Sequence, residues 1–313
     1  MKKILLSLLF NNLLFLNAQS FDLIPLGVYG GIQENNLSAY LIGEKGENKF
    51  LCLDAGTLKA GIDKAIEKGT FSTDAETVLK DYIKGYFISH GHLDHLAGMV
   101  INSPEDSKKN IYSTPETAEV LKQRYFTQDA WINFANEGTP PILGKYTYKK
   151  HGNTTSFPIE ATAMSARIFP LSHGNPYKSS AILVTNTQKE SVLYLGDTGA
   201  DRNEKSSALK NLWRQVAPLV KNKSLKAILI EVSFENERPE NALFGHLTPQ
   251  LLNEEFSILA QLSDARDLRN LKIIITHLKP GDNRIEIIKK QLMENNPMKV
   301  QIIFPEQGQK IQL

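Results

Sequence analysis

The sequence predicts an α/β fold in which two β-sheets pack face to face and carry helices on their outer sides, giving a four-layer α/β/β/α sandwich. Short apolar runs typical of strands alternate with helical patterns along the chain. Each half of the chain begins with strands and continues with strand–helix alternation, which is typical of a sheet covered by helices on one face. The 313 residues suffice for one large domain with a substantial core.

The first 20 residues have the order of a secretory signal peptide. Lys2 and Lys3 precede an apolar run from Ile4 to Leu16, and small residues follow near Ala18. The apolar run is too short, and too often interrupted by polar residues, to span a membrane. We therefore expect an exported protein, periplasmic or secreted and not held in a membrane, whose residues 21–313 form a single domain.

The charge balance argues against binding of long nucleic acid, and the cysteine content excludes an internal disulfide. The chain has 36 basic and 34 acidic residues, and Lys2 and Lys3 account for the difference. The balanced remainder gives no support to binding of long nucleic acid, which requires a basic surface. The single cysteine, Cys52, excludes an internal disulfide, and its apolar neighbours favour a buried side chain over a catalytic thiol.

The first half of the chain contains five predicted strands and five predicted helices. Apolar runs predict strands at Leu23–Tyr29, Leu37–Ile42, Phe50–Leu53, Tyr86–Ser89 and Asn110–Ser113. Helical spacing predicts helices at Leu58–Glu67, Ala75–Lys84, His95–Ile101 and Pro115–Tyr125, with a short one around Trp131. A loop follows at Pro140 and Pro141.

The second half repeats this alternation. Strands are predicted at Ala161–Pro170, Ser180–Thr185, Val192–Leu195, Ala227–Val232, Lys272–Thr276 and Lys299–Phe304. Helices are predicted at Leu209–Val220, Pro249–Leu268 and Arg284–Glu294. Ligand sites of α/β sheets gather beyond strand ends, so polar residues that follow these strands are candidates for a shared site.

Three imidazoles and a carboxylate lie within six residues, directly after an apolar run: His90, His92, Asp94 and His95. Neutral imidazole and carboxylate are ligands for divalent metals such as zinc. Two separable ligand sets in one loop indicate two metals, an arrangement that clamps the attacking and leaving oxygens of a displacement. The motif therefore predicts a metal-dependent hydrolase.

Three further candidates, His173, Asp197 and His277, each follow an apolar strand run. A lone histidine in such a place is more often a hydrogen-bonded core residue than a ligand. Three of these residues together with the dense first motif nevertheless favour one shared site on a rigid sheet edge. His151 has no strand before it and is interpreted as an ordinary surface residue.

The motif His90-x-His92-Leu-Asp94-His95, with these downstream residues, resembles the metallo-β-lactamase superfamily, whose fold is the α/β/β/α sandwich. The resemblance spans nearly all of residues 21–313 and implies a catalytic domain there. It implies a first metal on His90, His92 and His173, a second on Asp94, His95 and His277, and Asp197 as a bridge. The implied cofactors are two Zn²⁺ ions, with Mn²⁺ or iron as alternatives.

Asp54 matches the early structural aspartate of the same superfamily, which steadies the metal loop through hydrogen bonds. Such support is physically expected, because partners of the ligands fix ligand orientation. The alternative is that Asp54 caps the helix that follows it.

The first motif continues through Gly98 and Asn102-Ser103-Pro104, and over this length it is similar to the signature of class II cyclic-nucleotide phosphodiesterases. The segment from Thr276 to Pro280 also resembles that family. The resemblance implies a small-molecule substrate, a 3′,5′-cyclic nucleotide with cAMP preferred, opened to the 5′-monophosphate by a metal-bridging hydroxide. Asp94 is assigned to the catalytic group as well as to the second metal.

Two other segments, around Glu231 and His246, resemble parts of ribonuclease Z and of the related phosphodiesterases. The resemblance implies that His246 protonates the leaving oxygen as a general acid and that Glu231 orients it. General acid catalysis of this kind typically contributes about 10²–10⁴-fold. The alternative is that His246 merely starts a helix and that Glu231 is a solvated strand end.

Three other functions compete with this prediction. The same metal pair could open a lactone, a β-lactam or a thioester, or act as in ribonuclease Z. The chain could also be a non-catalytic periplasmic metal-binding protein, although structural zinc sites are usually closed and rich in cysteine. A homodimer is compatible with the sequence.

Overall fold

The computed structural model describes residues 20–152 and 155–313 of the chain. The predicted signal peptide, apart from residue 20, lies outside the described residues.

Fourteen strands are present in the described part of the chain. They are β1 (Phe21–Gly27), β2 (Ala39–Glu44), β3 (Phe50–Leu53), β4 (Ile83–Phe87), β5 (Lys109–Ser113), β6 (Tyr146–Lys150), β7 (Phe157–Pro158), β8 (Ser165–Ser172), β9 (Lys178–Thr185), β10 (Ser191–Leu195), β11 (Leu225–Glu231), β12 (Lys272–Thr276), β13 (Gln301–Ile303) and β14 (Ile311–Gln312).

Nine α-helices lie between these strands. They are α1 (Lys59–Glu67), α2 (Ala75–Thr77), α3 (Ala97–Asn102), α4 (Pro115–Val120), α5 (Asp201–Glu204), α6 (Ala208–Lys221), α7 (Pro249–Leu262), α8 (Ala265–Leu268) and α9 (Arg284–Glu294). Short π-helical turns follow α2 and α4, and a short 3₁₀ turn, Leu93–His95, precedes α3.

The strands form two seven-stranded mixed sheets. The first has the order β14-β1-β2-β3-β4-β5-β6 and the second the order β13-β12-β11-β10-β9-β8-β7. In each sheet an antiparallel part is followed by a parallel part, β3 to β6 in the first and β10 to β13 in the second. The two halves are therefore similar, as predicted, except that the last strand, β14, returns to pair with β1 in the first sheet.

Alternation of side chains along the strands explains the layers. In β2, Ala39 and Leu41 pack beneath the helices of the first half, whereas Tyr40 and Ile42 pack into the cluster between the two sheets. Successive side chains of a strand point to opposite faces, so a strand that is apolar on both faces must be covered on both. Tyr194 of the second sheet joins this central cluster, 5.9 Å from Tyr40 between ring centroids. The predicted four-layer sandwich is confirmed.

Several predicted elements agree with the structure to the residue, including β3, β12 and α9. The short helix predicted around Trp131 is wrong, because residues 126–131 form bends. The side chain of the following Asn133 donates to the backbone carbonyls of Glu137 and Thr139, and such local bonds compete with helical ones. Cys52 is buried, as predicted.

The predicted helix Ala75–Lys84 is too long, because β4 already begins at Ile83, where it pairs with Phe50 of β3. Sheet pairing overrides helical propensity here. Strand β6 was not predicted; it pairs with β5 at the edge of the first sheet.

The tail of the first motif packs the metal loop onto the first sheet. A Cβ added at Gly98 would lie 2.8 Å from the carbonyl oxygen of Ala55, so only glycine fits this close approach. Ser103 bonds the carbonyl of Val100 and accepts a hydrogen bond from the Trp131 indole. Gly98 and Ser103 therefore serve packing. Within the described residues no helix is both long and apolar enough to cross a membrane.

Candidate active site

The seven predicted ligands meet at one edge of the sandwich, beyond the ends of strands from both sheets. His90 follows β4, while His173, Asp197 and His277 follow β8, β10 and β12. The 3₁₀ turn Leu93–His95 carries the remaining carboxylate and imidazole of the first motif. The rigid strands thus deliver side chains that are far apart in sequence to one place.

Within this cluster the ligand atoms form groups in which all atoms lie within 4.8 Å of one another. One group consists of His90, His92, His173 and Asp197, and the next consists of Asp94, His95 and His277. The two groups contain the two ligand sets that the sequence resemblance implies, and the implied bridge, Asp197, falls in the first group. Most of the side chains are buried, but His92 is exposed and Asp94 is partly exposed, so the cluster opens to solvent on their side.

Hydrogen bonds fix the tautomers of the two imidazoles beside the first sheet. The Nδ1 of His95 lies 2.7 Å from the Asp54 carboxylate and therefore donates to it. The Ser89 hydroxyl donates to the same carboxylate at 2.7 Å, so it accepts from Nδ1 of His90 at 3.0 Å. In each ring the other nitrogen, Nε2, faces the cluster.

The two imidazoles beside the second sheet are oriented in the same manner. Nδ1 of His173 donates to the carbonyl of Gly245 at 2.9 Å. Nδ1 of His277 lies 2.9 Å from the Ser233 hydroxyl, which itself donates to Glu231 at 2.7 Å. Both rings again present Nε2 to the cluster, as metal-binding histidines do when a second group holds the other nitrogen.

Three buried polar atoms in the cluster lack a hydrogen-bond partner among the described residues: Nε2 of His90, Nε2 of His95 and Oδ1 of Asp197. The last two lie 3.2 Å apart without the alignment of a hydrogen bond. Buried polar atoms are nearly always paired, so unpaired nitrogen and oxygen atoms that converge here call for a partner, which a bound cation would supply. The donor set of imidazole and carboxylate fits a divalent metal.

Burial lowers the pKa of His90, His92 and His173, so these imidazoles are neutral and able to bind a metal at neutral pH. Burial opposes ionisation of Asp197, but the neighbouring imidazoles, His277 first among them, outweigh it and hold the pKa of Asp197 well below its usual range. Ionised carboxylate and neutral imidazole are the forms that bind metals.

His95 differs from these imidazoles. Burial lowers its pKa, but the carboxylates of Asp197 and Asp54 outweigh burial and raise the pKa well above its ordinary value. A proton on His95 thus balances two carboxylates. A cation bound beside Asp197 would replace that proton, since ligand imidazoles must be neutral.

Glu231 and His246 form a buried pair next to the ligand groups. Nδ1 of His246 lies 2.7 Å from the Glu231 carboxylate, and Glu231 is fully buried. The alternative of a solvated strand end is therefore wrong for Glu231. Burial lowers the pKa of His246 to about 4, opposed by Asp197, and burial raises the pKa of Glu231 to about 7. Helix α7 is capped by Thr248, so His246 does not start it.

His246 also lies close enough to Asp197 and His277 to form a third group of possible ligands. Both of its ring nitrogens are already engaged, however. Nδ1 bonds Glu231, and Nε2 lies 2.8 Å from the Lys279 ammonium, which donates to it. This arrangement favours an acid–base role over a metal-binding role.

Several site residues were not predicted from the sequence. Ser89 and Ser233 orient imidazoles, and Tyr194 donates to Asp54 at 2.6 Å. Tyr177 stacks on His92 with ring centroids 4.8 Å apart, and its hydroxyl accepts a hydrogen bond from the Gly91 amide. No sequence motif identifies these residues, although all four lie within four positions of a predicted site residue in the sequence.

His151 belongs to none of the three groups. Its ring stacks on Phe157 at a centroid distance of 3.5 Å. His151 was predicted to be an ordinary surface residue, and it is partly buried.

The Asp54 carboxylate orients the candidate ligands of the first sheet through four hydrogen bonds. It accepts from the Ser89 amide, the Ser89 hydroxyl, His95 and Tyr194. The cap position of α1 is Leu58, so the capping alternative is wrong. The structural role implied for Asp54 agrees with these contacts.

Comparison with known proteins gives consistent results. A family model described as class-II cAMP phosphodiesterases matches residues 21–308. A protein of Aliivibrio fischeri named 3′,5′-cyclic-nucleotide phosphodiesterase is 43% identical over 307 residues, which cover 94% of this chain and 93% of the relative.

Solved structures share the fold. The crystal structure of unliganded yeast PDE1 superposes with a TM-score of 0.84 at 22% identity, covering 94% of this chain and 100% of that one. A metallo-β-lactamase-fold protein of Bacillus subtilis gives a TM-score of 0.61 at 13% identity, covering 93% and 99%. Both likenesses show the α/β/β/α fold of that superfamily.

Replacing Asp54 with Asn removes the negative charge that orients His95 while conserving side-chain size. We expect the affinity for added zinc to fall about 10–100-fold, as is typical when a partner of a metal ligand is lost. Competition with a chromophoric chelator measures this zinc affinity.

Asp63→Asn is the matched control, because Asp63 is exposed on α1 and pairs with Lys59 there. This variant should bind zinc like the wild type. Equal zinc affinity in the two variants, with both folded by circular dichroism, would contradict the role of Asp54.

Proposed function

The chain belongs to the family of class-II cAMP phosphodiesterases, and from this premise we propose that it hydrolyses 3′,5′-cyclic nucleotides, preferring cAMP, to 5′-monophosphates. The observation that carries the proposal is the buried Glu231–His246 pair beside two groups of possible metal ligands. A cyclic phosphodiester needs both a charge-neutralising centre at phosphorus and a proton donor for the departing oxygen.

We assign two zinc ions to the site, with Mn²⁺ or iron as alternatives. One would be held by His90, His92 and His173, the other by Asp94, His95 and His277, with Asp197 between them. When bound, such a pair supplies a water of low pKa and neutralises charge on the phosphoryl oxygens. The unpaired Nε2 atoms of His90 and His95 support this assignment.

The residues of the chain then have separate tasks. Glu231 holds Nδ1 of His246, and its carboxylate favours the imidazolium form, in which Nε2 carries a proton, against the burial that lowers the pKa of this ring. Nε2 gives that proton to the 3′ oxygen as the bond from phosphorus to this oxygen breaks and the bond from phosphorus to the water oxygen forms. The deep burial of Glu231 and His246 keeps the proton donor in one orientation.

Purified protein should hydrolyse cAMP to 5′-AMP, and a chelator should abolish the activity because both ligand groups lose their cations. Product analysis by chromatography tests this, with cyclic GMP, 2′,3′-cyclic nucleotides and a lactone as comparison substrates. Added zinc should restore the activity. Hydrolysis of the lactone alone, or no activity with two zinc ions bound, would refute the proposal.

Replacing His246 with Ala should lower kcat for cAMP by about 10²–10⁴-fold, because the leaving oxygen loses its proton donor. Zinc content, measured by atomic absorption, should stay unchanged. His151→Ala is the matched control, since it removes an imidazole that belongs to none of the ligand groups. Unaltered turnover of the His246 variant would remove His246 from the mechanism.

We further propose that the protein is exported and that the first 20 residues are removed. In support, strand β1 begins at Phe21, next to the expected cleavage point. Cell fractionation with N-terminal sequencing should find a chain beginning near residue 21 in the periplasm or the medium. Leu9→Arg, which interrupts the apolar run, should block export. A cytoplasmic chain that retains residues 1–20 would contradict the proposal.

A further inference from the structure

The ammonium group of Lys279 lies beside Nε2 of His246, the nitrogen that donates the proton in the proposed mechanism. Its Nζ lies 2.8 Å from Nε2 of His246, on the opposite side of the ring from Glu231. Across residues 20–152 and 155–313, no carboxylate lies at ion-pair distance from this ammonium. A partly buried cation is normally paired with an anion, so Lys279 is a cation that lacks its natural partner.

Aromatic packing holds the ammonium in place. Nζ of Lys279 lies 5.3 Å from the ring centroid of Phe234, and the same ring contacts the imidazole of His246 at 5.8 Å. The guanidinium groups of Arg238 and Arg284 also lie over Phe234, at 4.7 and 5.5 Å. Of these three cations Arg284 is neutralised, by Glu235 at 3.0 Å. The remaining positive charge favours an anion beside His246.

The geometry at Nε2 indicates where that anion lies. In the present arrangement Nε2 accepts a hydrogen bond from Lys279. When Nε2 acts as a proton donor it can no longer accept this bond, and two donors then face each other. An oxygen placed between them satisfies both. In the proposed reaction the oxygen that meets Nε2 is the departing 3′ oxygen of the cyclic nucleotide.

We propose that Lys279 contacts this leaving oxygen and stabilises the negative charge that develops there as the phosphorus–oxygen bond breaks. The inference rests on the proposed function. Lys279 keeps its own protons, because the proton that the leaving oxygen takes up comes from His246. A fixed cation at a developing oxyanion acts mainly in the transition state.

Lys279→Met tests this contact, because it retains most of the apolar stem beside Phe234 and removes the charge. We expect kcat for cAMP to fall by about 10²–10³-fold, as for loss of one oxyanion-stabilising donor. KM and the binding of 5′-AMP measured by calorimetry should change by less than about threefold, since a contact made in the transition state contributes little to ground-state binding. Lys279→Arg should recover part of the loss.

A second substrate separates action at the leaving oxygen from general phosphate binding. The 4-nitrophenyl ester of thymidine 5′-phosphate expels a weakly basic phenolate that needs little stabilisation. The Lys279→Met variant should lose less than about tenfold in kcat on this ester, because the contact matters only when the leaving oxygen is strongly basic. Arg238→Met is the matched control, because it removes a charge over the same ring without contacting His246, and it should keep the wild-type ratio of the two rates.

The outcomes are distinct. An unchanged kcat for cAMP, or a loss confined to KM, in a folded Lys279→Met variant with normal zinc content would overturn the inference. So would equal losses in kcat on both substrates. If instead the zinc-loaded wild type hydrolyses the aryl ester but not a cyclic nucleotide, the proposed function fails, and the Lys279 inference that rests on it is overturned with it. This result differs from an unaffected Lys279→Met variant of an enzyme that does hydrolyse cAMP, which would overturn the Lys279 inference alone.

Discussion

The buried carboxylate of Asp54 receives hydrogen bonds from both sheets, from Ser89 and His95 beside the first and from Tyr194 in the second. No cation is needed to stabilise it, because four donors satisfy its oxygens. Through Ser89 and His95 it sets the direction of two imidazole rings, and through Tyr194 it ties them to strand β10, which ends two residues before Asp197. The ligand geometry therefore depends on how the two sheets are docked.

Much of the fold and the ligand set can be predicted from the sequence because the signals are local. Apolar runs of strand length reveal β3 and β12, and a polar residue just past such a run, as at His277, marks the sheet edge where sites gather. The dense motif from His90 to His95 needs no tertiary information to suggest metal binding. Element boundaries failed where pairing between distant strands decided the outcome, as at Ile83.

The groups that hold the ligands could not be predicted in the same way. Ser233 lies two residues after Glu231 in the sequence, and only in the folded chain does its hydroxyl connect Glu231 to the ring of His277. Tyr177 and Lys279 reach the site through packing against rings that come from other parts of the chain. Serine, tyrosine and lysine are common surface residues, so their type carries no signal. Only the three-dimensional arrangement distinguishes them.

The ligand groups draw on both sheets, since His90 follows a strand of the first and Asp197 a strand of the second. A cation that binds both can do so only when the sheets are docked, so its binding is thermodynamically linked to folding. At a free concentration 100 times the dissociation constant, this linkage amounts to about 2.7 kcal/mol per site. The unfolding temperature of such a protein is then not a constant of the sequence alone, because it rises with the supply of metal in the surroundings.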